Sequence, residues 1–388
     1  MQKIVIVRSV MEEFVASTGL SDVSREPRRY LWTDAFAVCN YLTLYRQTGE
    51  QVFLQWALKL VGQVHQILGR HRKDSAHSGW LSGFDDEQAQ LHPTQGGLRI
   101  GKQLDERQPS ELVNESLEWD QDGQYFHYLT KWMHALNCVS RDTGNGIYNQ
   151  WALELAKVAH AAFTYMPPEG GAKRMYWKMS IDLSRPMVYS MGQHDPLDGL
   201  ITYYQLETTA KRFTNTPPDL SLTAEIDDMT AMCTGRNWAT KDALGIGGLL
   251  TDAYRLVQLF DAHSLQETVE LKSLLSDIEL SLREFITHNQ LNLAAEYRLA
   301  FRELGLAIGL HTISLMKKCI EQHPENYSNA NQLSFTLKKL SRFCRLYGII
   351  ESFWLEPDHL LVKTWLEHAD INNVMLATSL APDGYFQL

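Results

Sequence analysis

This 388-residue chain has no stretch near the eighteen or so consecutive apolar residues that a membrane-spanning helix requires. Its first apolar run, Ile4 to Val7, is too short for the core of a secretion signal, and Arg8, Glu12 and Glu13 follow it closely. Cysteine is scarce. The five (Cys39, Cys138, Cys233, Cys319, Cys344) are scattered and odd in number, with no CxxC spacing and no Cys/His cluster along the chain. Neither a disulfide framework nor a zinc site is expected, and reduced, buried thiols in a cytoplasmic protein are the plain reading. No metal and no cofactor is expected. Positive charge is in deficit, 36 Lys plus Arg against 46 Asp plus Glu, a net −10. An acidic surface repels phosphate backbones and anionic lipid, which excludes nucleic acid and membrane as expected partners. Strand-like alternation is scarce too; Met175 to Tyr189 is the main exception and reads as a small hairpin.

Aromatic residues are what the chain has in surplus: 10 Trp and 16 Tyr, more than a core requires. The chain also repeats itself. Arg46-Gln47-Thr48-Gly49 is matched by Arg141-Asp142-Thr143-Gly144, Trp56-Ala57-Leu58 by Trp151-Ala152-Leu153, and His65 by His160, all at one offset of 95 residues. Each unit reads as a helix, a Thr-Gly stop and a second helix running back. Phe36, Cys39, Leu42 and Tyr45 stripe the first helix, and Phe53, Trp56, Ala57, Leu60, Val64 and Ile67 the second. Trp56 and Trp151 read as core, and His65 and His160 as packing or surface residues of outer helices. Helical patterns continue over 2–17, 196–210, 242–262, 265–288, 296–321, 331–349 and 366–380, with a shorter one at 220–233.

About twelve helices alternating as two sets of six predict an all-α (α/α)6 toroid, six inner helices ringed by six outer ones. One barrel domain over 1–388 is expected, with 71–120 and 164–194 as long loop insertions over the pocket face. An open solenoid is the competitor, but its repeats are shorter and more regular. Short hairpin turns at one end and long links at the other mark a bare face and a decorated one, and long ordered loops usually carry function.

The decorated face gathers the inner-helix starts: Trp32-Thr33-Asp34; Trp119-Asp120-Gln121-Asp122 with Tyr125 and His127; His194-Asp195-Pro196 with Asp198; Trp238 and Asp242; Arg298 and Glu303; Trp365, His368 and Asp370. Each start has a carboxylate, and most have Trp or His. Any single one reads equally well as a helix cap; Thr33, Asp120 or Asp122, and Asp195 before Pro196 all qualify. As a set they form a pocket lining in which aromatic faces stack on sugar rings and acids bind hydroxyls. A second cluster, His92-Pro-Thr-Gln-Gly96-Gly97-Leu-Arg99, lacks P-loop spacing; its glycines either turn the chain or let a ligand approach.

The Trp32-Thr-Asp34, Trp119-Asp120-Gln-Asp122 and Gly192-Gln-His194-Asp195 starts on this helical pattern resemble the six-hairpin glycosidases and, within the same fold, the N-acylglucosamine 2-epimerase-like proteins. The likeness covers nearly the whole chain at the level of architecture. It implies a saccharide or other small polar ligand and, first, glycoside hydrolysis by two carboxyls roughly 6.5–9.5 Å apart if inverting. Asp120 or Asp122 with Asp195 or Asp198 opposite is then the expected pair, and Asp34 a third candidate. Trp32, Trp119 and Tyr125 form the platform, with Arg99 on a hydroxyl or uronate and His92, His127, Trp238 and Glu303 completing the lining. An epimerase would place the proton on His194 and His368, although its Arg and His motifs have no clear match here. A binding toroid without catalysis is the third reading.

Overall fold

The computed structural model describes residues 2–21, 26–112, 114–213, 216–262 and 271–388. The first six residues of the helix expected over 265–288 lie outside them. The described residues cluster into two compact units, Met1–Phe14 with Cys233–Leu388, and Val15–Met232.

Helix α1 (Gln2–Ser17) opens the chain. In the Val15–Met232 unit, α2 (Leu31–Thr48) turns at Gly49 into α3 (Gln51–Leu68). The link that follows holds two short helices, α4 (Asp86–Leu91) and α5 (Glu115–Glu118), and ends in strand β1 (Gln124–Tyr125). The second hairpin is α6 (Phe126–Thr143) and α7 (Ile147–Phe163). Strands β2 (Thr164–Tyr165), β3 (Arg174–Met175), β4 (Lys178–Met179) and β5 (Pro186–Val188) precede α8 (Asp195–Ala210) and α9 (Thr223–Cys233). The repeat is real in space: Gly49 and Gly144 both close their helices at φ of 74° and 67°, where a Cβ is penalised. Arg46 of one copy donates through Nε to Asp142 of the other at 2.9 Å.

Burial separates the two helix sets. Every residue of α2 from Leu31 to Leu44 is buried, whereas α3 buries one stripe, Phe53, Ala57, Leu60, Val61, Val64, His65 and Leu68. A helix buried all round is an inner helix and a one-sided helix an outer one. α2, α6 and α8 pack side by side, with α3 against α2 and α7 against α6. Trp56 and Trp151 depart from the core placement expected of them. Both are half-buried, and the Trp151 indole N–H donates to the Leu91 carbonyl at 2.8 Å rather than sinking into the core. His65 is buried and accepts from Trp132 Nε1 at 3.1 Å; burial alone pulls its pKa to about 3.

The other unit contains α10 (Ala243–Asp261), α11 (Leu271–Thr287), α12 (Ala300–Gln322), α13 (Ala330–Leu340), α14 (Arg345–Trp354), α15 (Lys363–Leu366), α16 (Ala369–Leu380) and α17 (Asp383–Phe386). α10, α12 and α16 pack in sequence, with α11, α13 and α14 on their flanks. The helix expected over 331–349 is broken by a tighter turn at Ser341–Phe343. The expected hairpin within Met175–Tyr189 is β4–β5, with Lys178 opposite Val188 and Met179 opposite Pro186, and β4 also pairs with β1.

Candidate functional site

The start of α6 is held from three sides. Gln124 is fully buried. Its amide Nε2 donates to Gly96 O at 3.1 Å and Ile181 O at 2.7 Å, and its Oε1 accepts from Leu98 N at 2.8 Å. A Cβ on Gly97, at φ 72°, would lie 2.1 Å from Gln124 Oε1. Gly97 therefore admits the Gln124 side chain and Gly96 the backbone of Leu81 and Ser82, so the close approach is by the protein's own groups rather than by a ligand. With β1 fixed in this way, Tyr125 caps α6 in extended backbone and His127 enters its first turn. His194 caps α8, Asp195 is its first residue and Pro196 its second.

These starts converge on one aromatic cluster. Trp177 stacks on His127, centroids 6.0 Å apart and 12° between planes, and lies 5.0 Å from Tyr125 and 4.7 Å from Trp119. Tyr125 stacks on His127 at 5.3 Å. Trp32 meets His127 edge-on at 6.2 Å and Tyr128 at 5.2 Å, and the Tyr128 and Tyr30 hydroxyls bond at 2.7 Å. Trp119 is half exposed and forms the outer end of the cluster.

Three polar atoms in this cluster are buried without a hydrogen-bond partner: Trp32 Nε1, His127 Nδ1 and Asp195 Oδ2. His127 Nδ1 lies 3.9 Å from Asp195 Oδ1, too far for a hydrogen bond. Burial pushes the Asp195 carboxyl up to about 7, helped by the Asp198 charge and opposed by Lys131. Burial pulls the His127 imidazole to about 4, with the Lys131 charge adding and Asp198 opposing. Between pH 4 and 7 the pair is thus a mostly protonated acid beside an uncharged imidazole. Gly192 makes room for the acid, since a Cβ there would lie 2.3 Å from Asp195 Oδ2.

The remaining candidates take other places. Asp198 accepts from Lys131 Nζ at 2.7 Å and from the Thr130 hydroxyl. Asp34 accepts from Tyr30 N at 2.9 Å and pairs with buried Arg29; Tyr30, not Thr33, is the N-cap of α2. Asp120 and Asp122 precede α6 by several residues, because Gln124 and Tyr125 are drawn into the sheet. Asp120 is exposed. Asp122 is fully buried as a loop clamp, accepting from Arg99 Nη1 at 2.8 Å, Gly101 N at 2.9 Å, Gly123 N at 3.1 Å and Arg72 Nη1 at 3.4 Å. Arg99 gives its other donors to Arg70 O and Ile67 O, so the ligand role expected for it falls to neither its Nε nor its Nη2. His92 pairs with Glu154 at 2.8 Å, away from the aromatic cluster.

In the other unit, Glu303 accepts from Arg298 at 2.8 and 2.6 Å and from the Trp354 indole at 2.8 Å. Trp238 is buried and donates its backbone N–H to Asp277. Asp242 caps α10 through Gly245 N. His368 is exposed, its ring 5.6 Å from Phe301. A cavity of about 370 Å³ lies between Lys241, Asp242, Tyr297, Arg298, Arg302 and Glu303.

Sequence reading missed Trp177, Tyr128 and Lys131. Trp177 sits in the main segment with strand-like alternation, and Tyr128 and Lys131 lie at one and four residues past His127, so only the partner helix could single them out. It also missed a cluster the spacing cannot show: Cys39, His134 and Cys138, all buried, bring their ligand atoms within 4.8 Å of one another.

No protein-family model matches the chain, and no curated protein sequence resembles it. Solved structures do. An inactive variant of an α-1,6-mannanase from a Salegentibacter species, in complex with α-1,6-mannotriose, superposes with a TM-score of 0.54 over 98% of this chain and 99% of the other, at 10% identity. A second inactive variant of that enzyme, with α-1,6-mannotetrose, gives the same values. A cellobiose 2-epimerase from Spirochaeta thermophila covers 96% of this chain and 97% of its own at 11% identity, with a TM-score of 0.48. The likeness to the mannanase carries the architecture, and with it the conclusion that this chain has an (α/α)6 toroid fold.

Proposed function

We propose that this protein is a carbohydrate-active enzyme in which Asp195 is the proton-donating acid, and that its reaction is hydrolysis of a glycosidic bond. The observation that carries the reading is the set of buried, unpartnered atoms Trp32 Nε1, His127 Nδ1 and Asp195 Oδ2 inside one aromatic cluster. Leaving a buried polar atom unsatisfied costs about 1–3 kcal/mol, so three in one place point to a polar ligand that completes them. Stacked indole and phenol faces suit the apolar faces of a sugar ring. A carboxyl whose pKa is raised by burial is the form a glycosidase acid takes at neutral pH.

The Salegentibacter enzyme was inactivated at two consecutive aspartates. This chain has consecutive aspartates at 85–86 and 227–228 only. Asp86 bonds the Trp80 indole, and Asp228 pairs with His160 and Lys173. Asp195 is therefore the stronger candidate for the acid.

The spacing of His127 and Asp195 favours a second reading, proton transfer at a carbon of a free sugar with neutral His127 as base. One experiment separates the two. The protein is incubated with a glycan panel and with free sugars in deuterated water. Reducing-end release lost in Asp195→Asn supports hydrolysis, and deuterium uptake into a sugar lost in His127→Gln supports the second reading. Thermal stabilisation by a saccharide with neither product would remove the enzymatic proposal and leave a binding protein.

A further inference from the structure

α2 and α6 lie side by side, and in their central turns they bring together the Cys39, His134 and Cys138 cluster. All three side chains are essentially inaccessible, and on α6 the cluster begins seven residues, about two turns, beyond His127. His134 and Cys138 are four residues apart on one helix, so they share a face. Cys39 reaches them from the neighbouring helix.

A chain of amides orients the imidazole. Asn149 Nδ2 donates to the Leu206 carbonyl, which has no donor of its own. Asn149 Oδ1 therefore accepts from Asn137 Nδ2 at 2.8 Å, and Asn137 Oδ1 accepts from Gln205 Nε2 at 2.7 Å. Gln205 is left to offer Oε1 to His134 Nδ1 at 3.0 Å. Each amide is fixed by the next, back to a backbone carbonyl. Nδ1 thus carries the proton, and the bare Nε2 faces Cys138 Sγ at 3.6 Å. An imidazole held through one nitrogen so that the other presents its lone pair is the arrangement that metal-ligating histidines show.

We propose that Cys39, His134 and Cys138 form a closed site for one thiophilic metal ion of low coordination number, monovalent copper being the class that fits. Two thiolates and an imidazole select soft ions. Closed zinc sites take four protein ligands, and the cluster among the described residues supplies three. Binding replaces two S–H bonds with two metal–sulfur bonds and releases two protons, leaving a site of net charge −1. Arg141, one turn beyond Cys138, has a buried Nε without a hydrogen-bond partner and carries the compensating positive charge.

The test uses the reduced full-length chain, kept free of oxygen and titrated with Cu⁺ held by a coloured chelator, and separately with Zn²⁺. The expected result is removal of one Cu⁺ per chain from the chelator, with Cys39 and Cys138 protected from alkylation as mapped by mass spectrometry. Cys39→Ala keeps a small apolar group in the core and should lower affinity at least 100-fold, whereas Cys319→Ala should leave it unchanged. Gln205→Met removes no ligand but frees the imidazole, and should weaken binding about 10–100-fold. Circular dichroism of each variant checks that it is folded. Copper uptake that survives Cys39→Ala overturns the proposal, as does alkylation of both thiols at the same rate with and without the metal. Preferential 1:1 binding of Zn²⁺ overturns the low-coordinate assignment.

Discussion

Two inner-helix starts, one in each unit, are built alike and left in different states. Before α2, Arg29 reaches forward five residues to Asp34; before α12, Arg298 reaches forward five residues to Glu303. In each case the acid sits in the first turns of the helix, where the dipole favours it. At α12 the acid is satisfied: Glu303 takes two bonds from Arg298 and one from Trp354, and the Arg298 guanidinium lies 3.6 Å over the Phe353 ring. Beside α2, the Asp34 pair is also internal, yet the ring next to it, Trp32, keeps a buried indole N–H without a partner, and so do His127 and Asp195. A completed polar network holds a helix end in place. An incomplete one stores unsatisfied groups for something that arrives later.

That contrast can be broken most sharply at Asp195. Asp195→Asn should reduce saccharide turnover about 10²–10⁴-fold, the range of a lost general acid, with the melting temperature unchanged or raised because a buried, unpaired carboxyl is gone. Glu303→Ala should do the opposite, costing about 3–5 kcal/mol in denaturant unfolding because Arg298 is left buried and unpaired. If the two variants shift stability alike, the distinction between the two starts fails.

Activity against pH gives a third measure. Asp195 must be protonated, and its pKa is about 7; His127 must be uncharged, and its pKa is about 4. The rate should therefore peak between these values and fall on the alkaline side as Asp195 ionises. In Asp195→Asn the alkaline limb should vanish from whatever rate remains. Trp177→Ala comes next. Loss of the ring stacked on His127 should weaken saccharide affinity by about 0.5–1.5 kcal/mol, a few-fold to about tenfold in Kd, measured by titration calorimetry.

A further effect, away from the aromatic cluster, is on stability in acid. His65 has its pKa lowered by burial to about 3, against an unfolded value of 6.5. Between those values the unfolded chain binds more protons, so stability falls as pH drops from 6.5 toward 3. His65→Gln should flatten that part of the pH–stability curve while leaving the neutral plateau lowered by a single hydrogen bond, about 1 kcal/mol.

Much of the scaffold was legible. The 95-residue offset located Gly49 and Gly144, and both stop their helices in the left-handed conformation for the reason the sequence suggested. Helix starts were less so. Asp120 and Asp122 looked like helix-start acids, but pairing of Gln124 and Tyr125 with Met179 and Lys178 delayed α6 and turned Asp122 into a loop clamp. No local pattern announces a pairing to a segment more than fifty residues away.

Periodicity and composition determined that the chain is helical, that its helices alternate between wholly and partly buried, and that aromatic and acidic residues gather at the links. Those properties follow from local backbone preference and from side-chain spacing along one helix. Tertiary structure decided which acid lacks a partner and which histidine faces it, and it brought Cys39 to His134 and Cys138. Each of these depends on the distance between atoms of different helices, which packing alone sets.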